Sequence, residues 1–221
     1  MKKVIYIVLG LAVLLAIIWM SVGTGTLSNI FMNKQKFDNL VERFEEDERE
    51  QWQKPDEVIA LFGDISGKTI MDIGAGTGYY GFRMTSKGAK VISADVDDRF
   101  ITYVESKADS LNDQLMVTRK VEYDDPLLAD AEVDHAIIVN TYHHINDREE
   151  YFAKVAKGLK KNGSLMVVDF KKETDGWGPP KRYRVPTAEV KEELTVAGFS
   201  KFTINDTLLD NFYVVIAEKR R

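Results

Sequence analysis

The sequence predicts an α/β fold: a mostly parallel β-sheet with helices on both faces and an antiparallel pair of strands at its end. From residue 69 onward, short apolar segments alternate with helical segments, an order that is typical of parallel strands joined by helical crossovers. Only residues 206–211 separate the last two apolar segments. That connection is too short for a helical crossover, so these two strands are predicted to be antiparallel neighbours.

The spacing of apolar residues predicts the individual elements. Phe37, Leu40, Val41 and Phe44 have helical spacing in a first helix over residues 37–53, and Pro55 opens a second short helix. The predicted strands are, in order, "TIMDIGA", "AKVISAD", "LMVTRKV", "VDHAIIVN", "SLMVVDF", "FSKFTIND" and "FYVVIAEK". Further helices are predicted over residues 79–86, 98–109, 147–160 and 187–198.

An uncharged apolar segment, Val4–Met20, lies near the N-terminus and is followed by a small, polar linker. With the next three residues, a helix of this length reaches the roughly 30 Å of a bilayer core. The segment exceeds the apolar region of a signal peptide, which has about 7–15 residues, and no A-x-A cleavage site follows. We therefore predict a single-pass membrane anchor, or alternatively a signal segment, with its linker in residues 1–33, and a separate domain in residues 34–221.

Composition excludes several kinds of site. The chain has no cysteine, which excludes disulfides, thiolate metal sites and cysteine nucleophiles. The three histidines and the carboxylates lack the spacing of metal ligands, so no metal is expected. The formal net charge of −5 leads us to expect no nucleic-acid partner, because such proteins usually carry a basic balance.

A glycine-rich turn after the first predicted strand satisfies two nucleotide-binding patterns. Gly76, Gly78 and Gly81 fit the dinucleotide pattern G-x-G-x-x-G. With Asp72 and Gly74 included, the same stretch fits D-x-G-x-G-x-G, the S-adenosylmethionine (SAM) loop. A carboxylate beside the turn would repel a pyrophosphate, whereas it suits the cationic, phosphate-free SAM. The terminal antiparallel pair also favours SAM, so an NAD(P)-dependent oxidoreductase is the weaker alternative.

Four motifs that follow one another along the chain resemble those of a known family. These motifs are "MDIGAGTGYYG", "VISADVD", "VDHAIIVNTYHHI" and "LKKNGSLMVVDF". The region from about Trp52 to Lys219 resembles the class I SAM-dependent methyltransferases. The resemblance implies a Rossmann-like, seven-stranded sheet with its last strand antiparallel. It also implies SAM as the cofactor and methyl transfer as the reaction. A membrane-tethered SAM-binding module without catalysis remains an alternative.

The resemblance also implies positions for the cofactor contacts. They are Asp72, Gly74, Gly76, Gly78, Asp95, Val96, Asp124 and Asn140. Asp95 ends the second predicted strand, where its carboxylate can accept both ribose hydroxyls. Asp124 is preferred over Asp125 as the partner of the adenine amine, with a helix cap before Pro126 as the alternative role of both.

Two histidines after the fourth predicted strand are candidates for a general base. Methyl transfer needs a base only if the acceptor must first lose a proton, and histidine titrates near neutrality. His143 is preferred over His144, and the alternative is that one packs against the next helix while the other meets solvent. His135, inside the strand, is expected to be structural or on the surface. "NTYHH" departs from the N-P-P-Y type sequence that marks amino-group methylation of nucleic acids and glutamine, which disfavours those substrates.

Two variable parts are expected to cover the acceptor. One is the entry region with Phe37, Phe44 and Trp52, and the other is the long loop of residues 171–186, "KKETDGWGPPKRYRVP". The basic residues of this loop, among them Arg184, are expected to meet lipid headgroups, or else the loop is simply solvated. We expect a small-molecule or lipid-like acceptor near the membrane. The supply of the cofactor favours a cytoplasmic catalytic domain, although the lysines beside the anchor favour its export.

Overall fold

The computed structural model describes residues 29, 32 and 34–220 and is built around a seven-stranded sheet. The strands are β1 (Thr69–Ile73), β2 (Lys90–Asp95), β3 (Met116–Lys120), β4 (Val133–Val139), β5 (Leu159–Phe170), β6 (Phe199–Asn205) and β7 (Phe212–Lys219). The helices are α1 (Phe37–Phe44), α2 (Arg49–Gln53), α3 (Pro55–Ala60), α4 (Tyr79–Ser86), α5 (Asp98–Leu111), α6 (Arg148–Gly158) and α7 (Thr187–Val196). Two 3₁₀ turns cover Tyr142–His144 and Lys181–Tyr183.

The strands are arranged in the order β3-β2-β1-β4-β5-β7-β6, and β7 runs antiparallel to both of its neighbours. The predicted Rossmann-like, seven-stranded sheet with an antiparallel last strand is therefore confirmed. The chain leaves β1 towards one edge of the sheet and returns to place β4 on the other side of β1. Ligands of such sheets bind outside the carboxyl ends of the strands at this switch point.

Successive strand residues belong to two separate hydrophobic cores. Ile70 contributes to the core beneath α3, α4 and α5. The next residue, Met71, contributes to the core beneath α6 and α7. Burial on both faces explains why the central strands are continuous apolar runs, and it confirms the prediction of helices on both sides.

Two predicted boundaries differ from the structure. Residues 37–53 form two helices, α1 and α2, interrupted at residues 45–48, where four acidic residues follow one another. Helix α6 ends at Gly158, and β5 begins at Leu159, five residues before the predicted strand. A Cβ at Gly158 would lie 2.5 Å from Leu128 Cβ, so this helix end packs against the loop between β3 and β4 at a distance only glycine permits.

The predicted membrane anchor, Val4–Met20, lies outside the residues that the structure describes. None of the helices in the described ranges combines the length and apolar composition needed to cross a bilayer. The division of the chain between residues 33 and 34 stays a prediction.

Candidate active site

A cavity of about 820 Å³ opens at the carboxyl ends of β1, β2 and β4. The loops after these strands, helices α1 and α2, and part of the 171–186 loop line it. Its volume lies within the ~300–1,000 Å³ range of small-molecule and cofactor sites. The cavity therefore coincides with the switch point at which the topology predicts a ligand.

The glycine-rich turn forms one wall of this cavity through Gly74 and Gly76, which both have positive φ angles. A Cβ at Gly74 would lie 2.5 Å from Cγ2 of Thr141, so a side chain has no room there. The Gly74 N–H donates to the Ala94 carbonyl of β2 at 2.8 Å, which fixes the turn. Gly78 is not among the lining residues. Its φ of 74° at the start of α4 gives it a conformational role in place of the predicted cofactor contact.

Asp95 ends β2 at the cavity wall with only 8% of its surface exposed. Its carboxylate accepts hydrogen bonds from the Gly76 and Asp97 N–H groups, both at 2.9 Å. Burial raises the pKa of Asp95 to about 6, and these N–H donors oppose the rise. The group is thus mainly ionised at neutral pH and available to ribose hydroxyls. Val96, also predicted, lines the cavity beside it.

Asp72 and Asn140 present two buried oxygen-bearing groups to the same cavity. The pKa of Asp72 is raised to about 7. Burial is the largest cause, Arg49 opposes the rise, and the nearby Asp95 adds to it. Asn140 Oδ1 is buried and accepts no hydrogen bond from the described part of the chain. Because buried acceptors are normally paired, this oxygen fits a ligand donor such as an ammonium group. A carboxyl and an unpaired amide oxygen together match the cationic methionine portion of SAM.

Asp124 lies outside the cavity, contrary to the predicted adenine contact. Its side chain is exposed, and its carbonyl accepts a hydrogen bond from Lys154 Nζ at 2.8 Å. The Glu122 N–H donates to the Asp125 carbonyl at 3.1 Å, and this turn carries Asp124 away from the site. Glu122 and Tyr123 line the cavity instead. The predicted loop thus lines the cavity through residues one or two positions before Asp124, and its contact with the adenine stays a prediction.

His143, the preferred base candidate, is buried against a carboxylate that the sequence reasoning missed. Its Nδ1 lies 2.9 and 3.0 Å from the two carboxylate oxygens of Asp169, the penultimate residue of β5. Burial opposes ionisation of Asp169, but the His143 ring and the N–H donors of His143 and Phe170 hold its pKa below the ordinary value. A carboxylate at Nδ1 retains the proton there and leaves Nε2 free to accept one. The sequence signal for Asp169 was its position as a charged residue near the end of an apolar strand.

His144 lies beside His143 in the cavity wall, with ring centroids 4.4 Å apart. Burial, together with the neighbouring His143, lowers the pKa of His144 to about 3, and Asp169 opposes this shift. Its Nδ1 lies 3.0 Å from Asn29 Oδ1, and its carbonyl accepts a hydrogen bond from Asn29 Nδ2. A neutral, weakly basic imidazole held in this way is a poor general base, so His143 is the better candidate. His135 pairs with Ser164 in the sheet and does not line the cavity.

Comparison with known proteins agrees with this geometry. A family model described as a methyltransferase domain matches residues 71–167. A SAM-dependent methyltransferase of Aquifex aeolicus has the same fold, with a TM-score of 0.77 and 23% identity over 84% of this chain and 100% of that one. A Haemonchus contortus phosphoethanolamine N-methyltransferase 2, bound to S-adenosylhomocysteine, gives a TM-score of 0.66 at 12% identity, covering 86% and 61% of the two chains. The family match and these structures support the assignment of a class I SAM-dependent methyltransferase.

Among curated relatives, the tRNA U34 carboxymethyltransferase of Haemophilus influenzae is 27% identical over 118 residues, which are 52% of this chain and 36% of that protein. The chain thus spans about a third of the length of the curated relatives it matches first. The predictions of a SAM-dependent methyltransferase and of SAM as its cofactor are confirmed. The expectation of no nucleic-acid partner is wrong, because these relatives are named for a tRNA substrate. It rested on net charge, which averages over the whole surface of a methyltransferase and says little about one site.

The 171–186 loop of this methyltransferase folds over the cavity around a buried arginine. Arg184 is only 4% exposed, and its guanidinium donates to four loop carbonyls, those of Lys171, Thr174, Trp177 and Pro179. The guanidinium of Arg184 is therefore not available to lipid headgroups, contrary to the expectation for the basic residues of this loop. Lys181 forms an ion pair with Asp175.

The entry region covers the cavity only in part. Phe44 and Trp52 line the cavity, whereas Phe37 packs against Phe100 and does not reach it. Arg49, which the sequence reasoning overlooked, lines the cavity from α2 and lowers the pKa of Asp72. No group of three or more potential metal ligands occurs in residues 29, 32 and 34–220.

Proposed function

We propose that this methyltransferase acts on an acceptor that must lose a proton, with His143 as the general base. The observation that carries the proposal is the pairing of His143 with Asp169 in the cavity that also holds the cofactor loop. When bound, SAM supplies an electrophilic methyl group on a sulfonium. A base positioned beside the acceptor contributes about 10²- to 10⁴-fold to the rate of such a step.

Each residue of the site then has a distinct role. Asp72 and Asn140 hold the ammonium group of the cofactor, and Asp95 holds its ribose. His143 accepts the acceptor's proton at Nε2. Asp169, which is negatively charged and 1% exposed, stabilises the imidazolium that results.

The acceptor is proposed to be a small or lipid-like molecule. A cavity of about 820 Å³ is large enough for a cofactor together with a small acceptor. The apolar segment before residue 34 would hold the site beside a membrane, with the domain on the cytoplasmic side. A nucleoside of tRNA is a second candidate, and the relatives named for tRNA U34 favour it.

The purified full chain, incubated with deuterated-methyl SAM and separate lipid, metabolite and RNA extracts, tests the proposal by mass spectrometry. We expect a labelled product in one extract and its loss in the His143→Asn variant, while S-adenosylhomocysteine still binds. His135→Asn is the matched control, since His135 lies outside the cavity. Cofactor binding with no labelled product in any extract would instead indicate a binding module. An active His143→Asn variant would remove the role of the base.

A further inference from the structure

Four aromatic rings gather on the His143 side of the cavity, and we name Trp52, Phe170, Trp177 and Phe212 the aromatic cluster. The ring centroids of Trp52 and Trp177 are 4.5 Å apart, and those of Phe170 and Phe212 are also 4.5 Å apart. Phe170 lies 6.2 Å from the His143 ring, edge to face. Trp52, Phe170 and Trp177 line the cavity. The cluster is thus adjacent to the base.

Trp177 remains 54% exposed although its loop is tightly held. It lies between Gly176 and Gly178, whose φ angles of 115° and 114° favour glycine. A Cβ at Gly178 would lie 2.4 Å from the Phe170 ring, so the loop touches the cluster at its backbone as well. The hydrogen bond from Arg184 to the Trp177 carbonyl fixes this arrangement. A large ring held at a cavity mouth with half its surface uncovered is a surface prepared for a ligand.

The side chains in this half of the cavity limit the chemical class of the acceptor. Rings prefer ring partners at centroid distances of about 4.5–7 Å, stacked or edge to face. A phenolic hydroxyl, with a pKa near 10, is acidic enough for an imidazole to take its proton. An aliphatic alcohol is far less acidic, and a neutral amine needs no base before it attacks.

We propose that the aromatic cluster binds a planar ring bearing a phenolic hydroxyl and directs that hydroxyl to His143. The proposal rests on the function proposed above and names its substrate class. The phenol oxygen gives its proton to His143 Nε2 and forms a bond to the methyl carbon. The bond between that carbon and the sulfonium sulfur breaks, and its electron pair stays on sulfur. The products are a methyl ether, S-adenosylhomocysteine and one proton, which leaves His143 for solvent.

Calorimetry on the full chain, saturated with S-adenosylhomocysteine, tests the proposal with 4-nitrophenol and cyclohexanol as probes. We expect 4-nitrophenol to bind at least about tenfold more tightly than cyclohexanol, since only the phenol offers ring contacts. Trp177→Ala should weaken the binding of 4-nitrophenol about tenfold. Trp177→Phe, which keeps a ring, should bind 4-nitrophenol within about threefold of the wild-type affinity. Val196→Ala, which alters an exposed apolar residue of α7, is the control and should change nothing.

The colour of the probe gives a second readout that is independent of methyl transfer. Below the pKa of free 4-nitrophenol, the bound probe should turn into its yellow anion in the wild type and stay colourless with His143→Asn. Equal affinity for the two probes, unchanged binding by Trp177→Ala, or no anion in the wild type would each overturn the proposal. S-adenosylhomocysteine binding is measured first, and its absence in the wild type would overturn the proposed function along with this inference.

Discussion

Replacing Asp72 by asparagine should stabilise the protein at alkaline pH while weakening its hold on the cofactor. The Asp72 side chain is 3% exposed, so solvent screens its charge little. Its pKa is about 7 in the folded protein against an ordinary 3.8, chiefly because of burial. At about 1.4 kcal/mol per pH unit, this difference amounts to about 4 kcal/mol of unfolding free energy lost when the carboxyl ionises.

The loss of stability with rising pH follows from proton binding to Asp72 in the folded protein. Between about pH 4 and pH 7, the folded protein holds a proton on Asp72 that the unfolded chain has released. Stability from this group is therefore fully present below about pH 4 and falls as the pH rises through about 7. Asparagine keeps the shape and never ionises, but burying its amide has a cost of its own. We expect a net gain of about 2–3 kcal/mol at pH 8 and a net loss of about 1 kcal/mol at pH 4, where only the cost of burying the amide remains.

Urea unfolding at 25 °C, repeated at several pH values without cofactor, measures this gain by linear extrapolation. Asp109→Asn, at an exposed carboxyl of α5, is the matched control and should stay within about 0.5 kcal/mol of the wild type. Asp72→Asn should also bind S-adenosylhomocysteine at least about tenfold more weakly, because the ammonium loses a charged partner. A gain that does not grow with pH, or a loss of stability at pH 8, would refute the burial argument.

The other predictions concern the cofactor turn and the base. Asp169→Asn should lower kcat by about 10²-fold and leave the Kd of S-adenosylhomocysteine within about twofold, as steady-state kinetics and calorimetry would show, because the variant no longer orients His143. Gly74→Ala should abolish cofactor binding in calorimetry, since its Cβ would lie 2.5 Å from Thr141 Cγ2 at a φ of +69°. The affinity for S-adenosylhomocysteine should fall as the pH drops below about 7, where Asp72 takes up a proton, and should fall more steeply, by up to about a further tenfold per pH unit, below about 6, where Asp95 loses its charge. A fall that does not steepen below about pH 6 would mean that Asp95 does not hold the ribose.

The sheet and the cofactor wall were predictable because their signals are local. Alternating apolar runs define the strands, and the glycines with Asp72 and Asp95 lie within single motifs. Asp124 shows the limit of this reasoning. No periodicity fixes the path of the loop after β3, and one hydrogen-bonded turn was enough to bring Glu122 and Tyr123 to the cavity instead.

The partner of the base depended on strand pairing, which the sequence shows only indirectly. Val139 of β4 lies opposite Val168 of β5, so the next residue, Asp169, lies level with the turn that carries His143. A register slip of one residue would put this carboxylate on the other face of the sheet. The burial of Arg184 was not predictable for a similar reason, since only the folded loop shows that its guanidinium is surrounded by carbonyl groups.

The most direct test of the account is a crystal structure of the chain with S-adenosylhomocysteine. We expect the ribose hydroxyls on the Asp95 carboxylate, the amino group near Asn140 Oδ1, and the sulfur facing the side of the cavity that holds His143. A ribose placed away from Asp95, or a sulfur separated from His143 by protein side chains, would contradict both the assigned cofactor site and the proposed base.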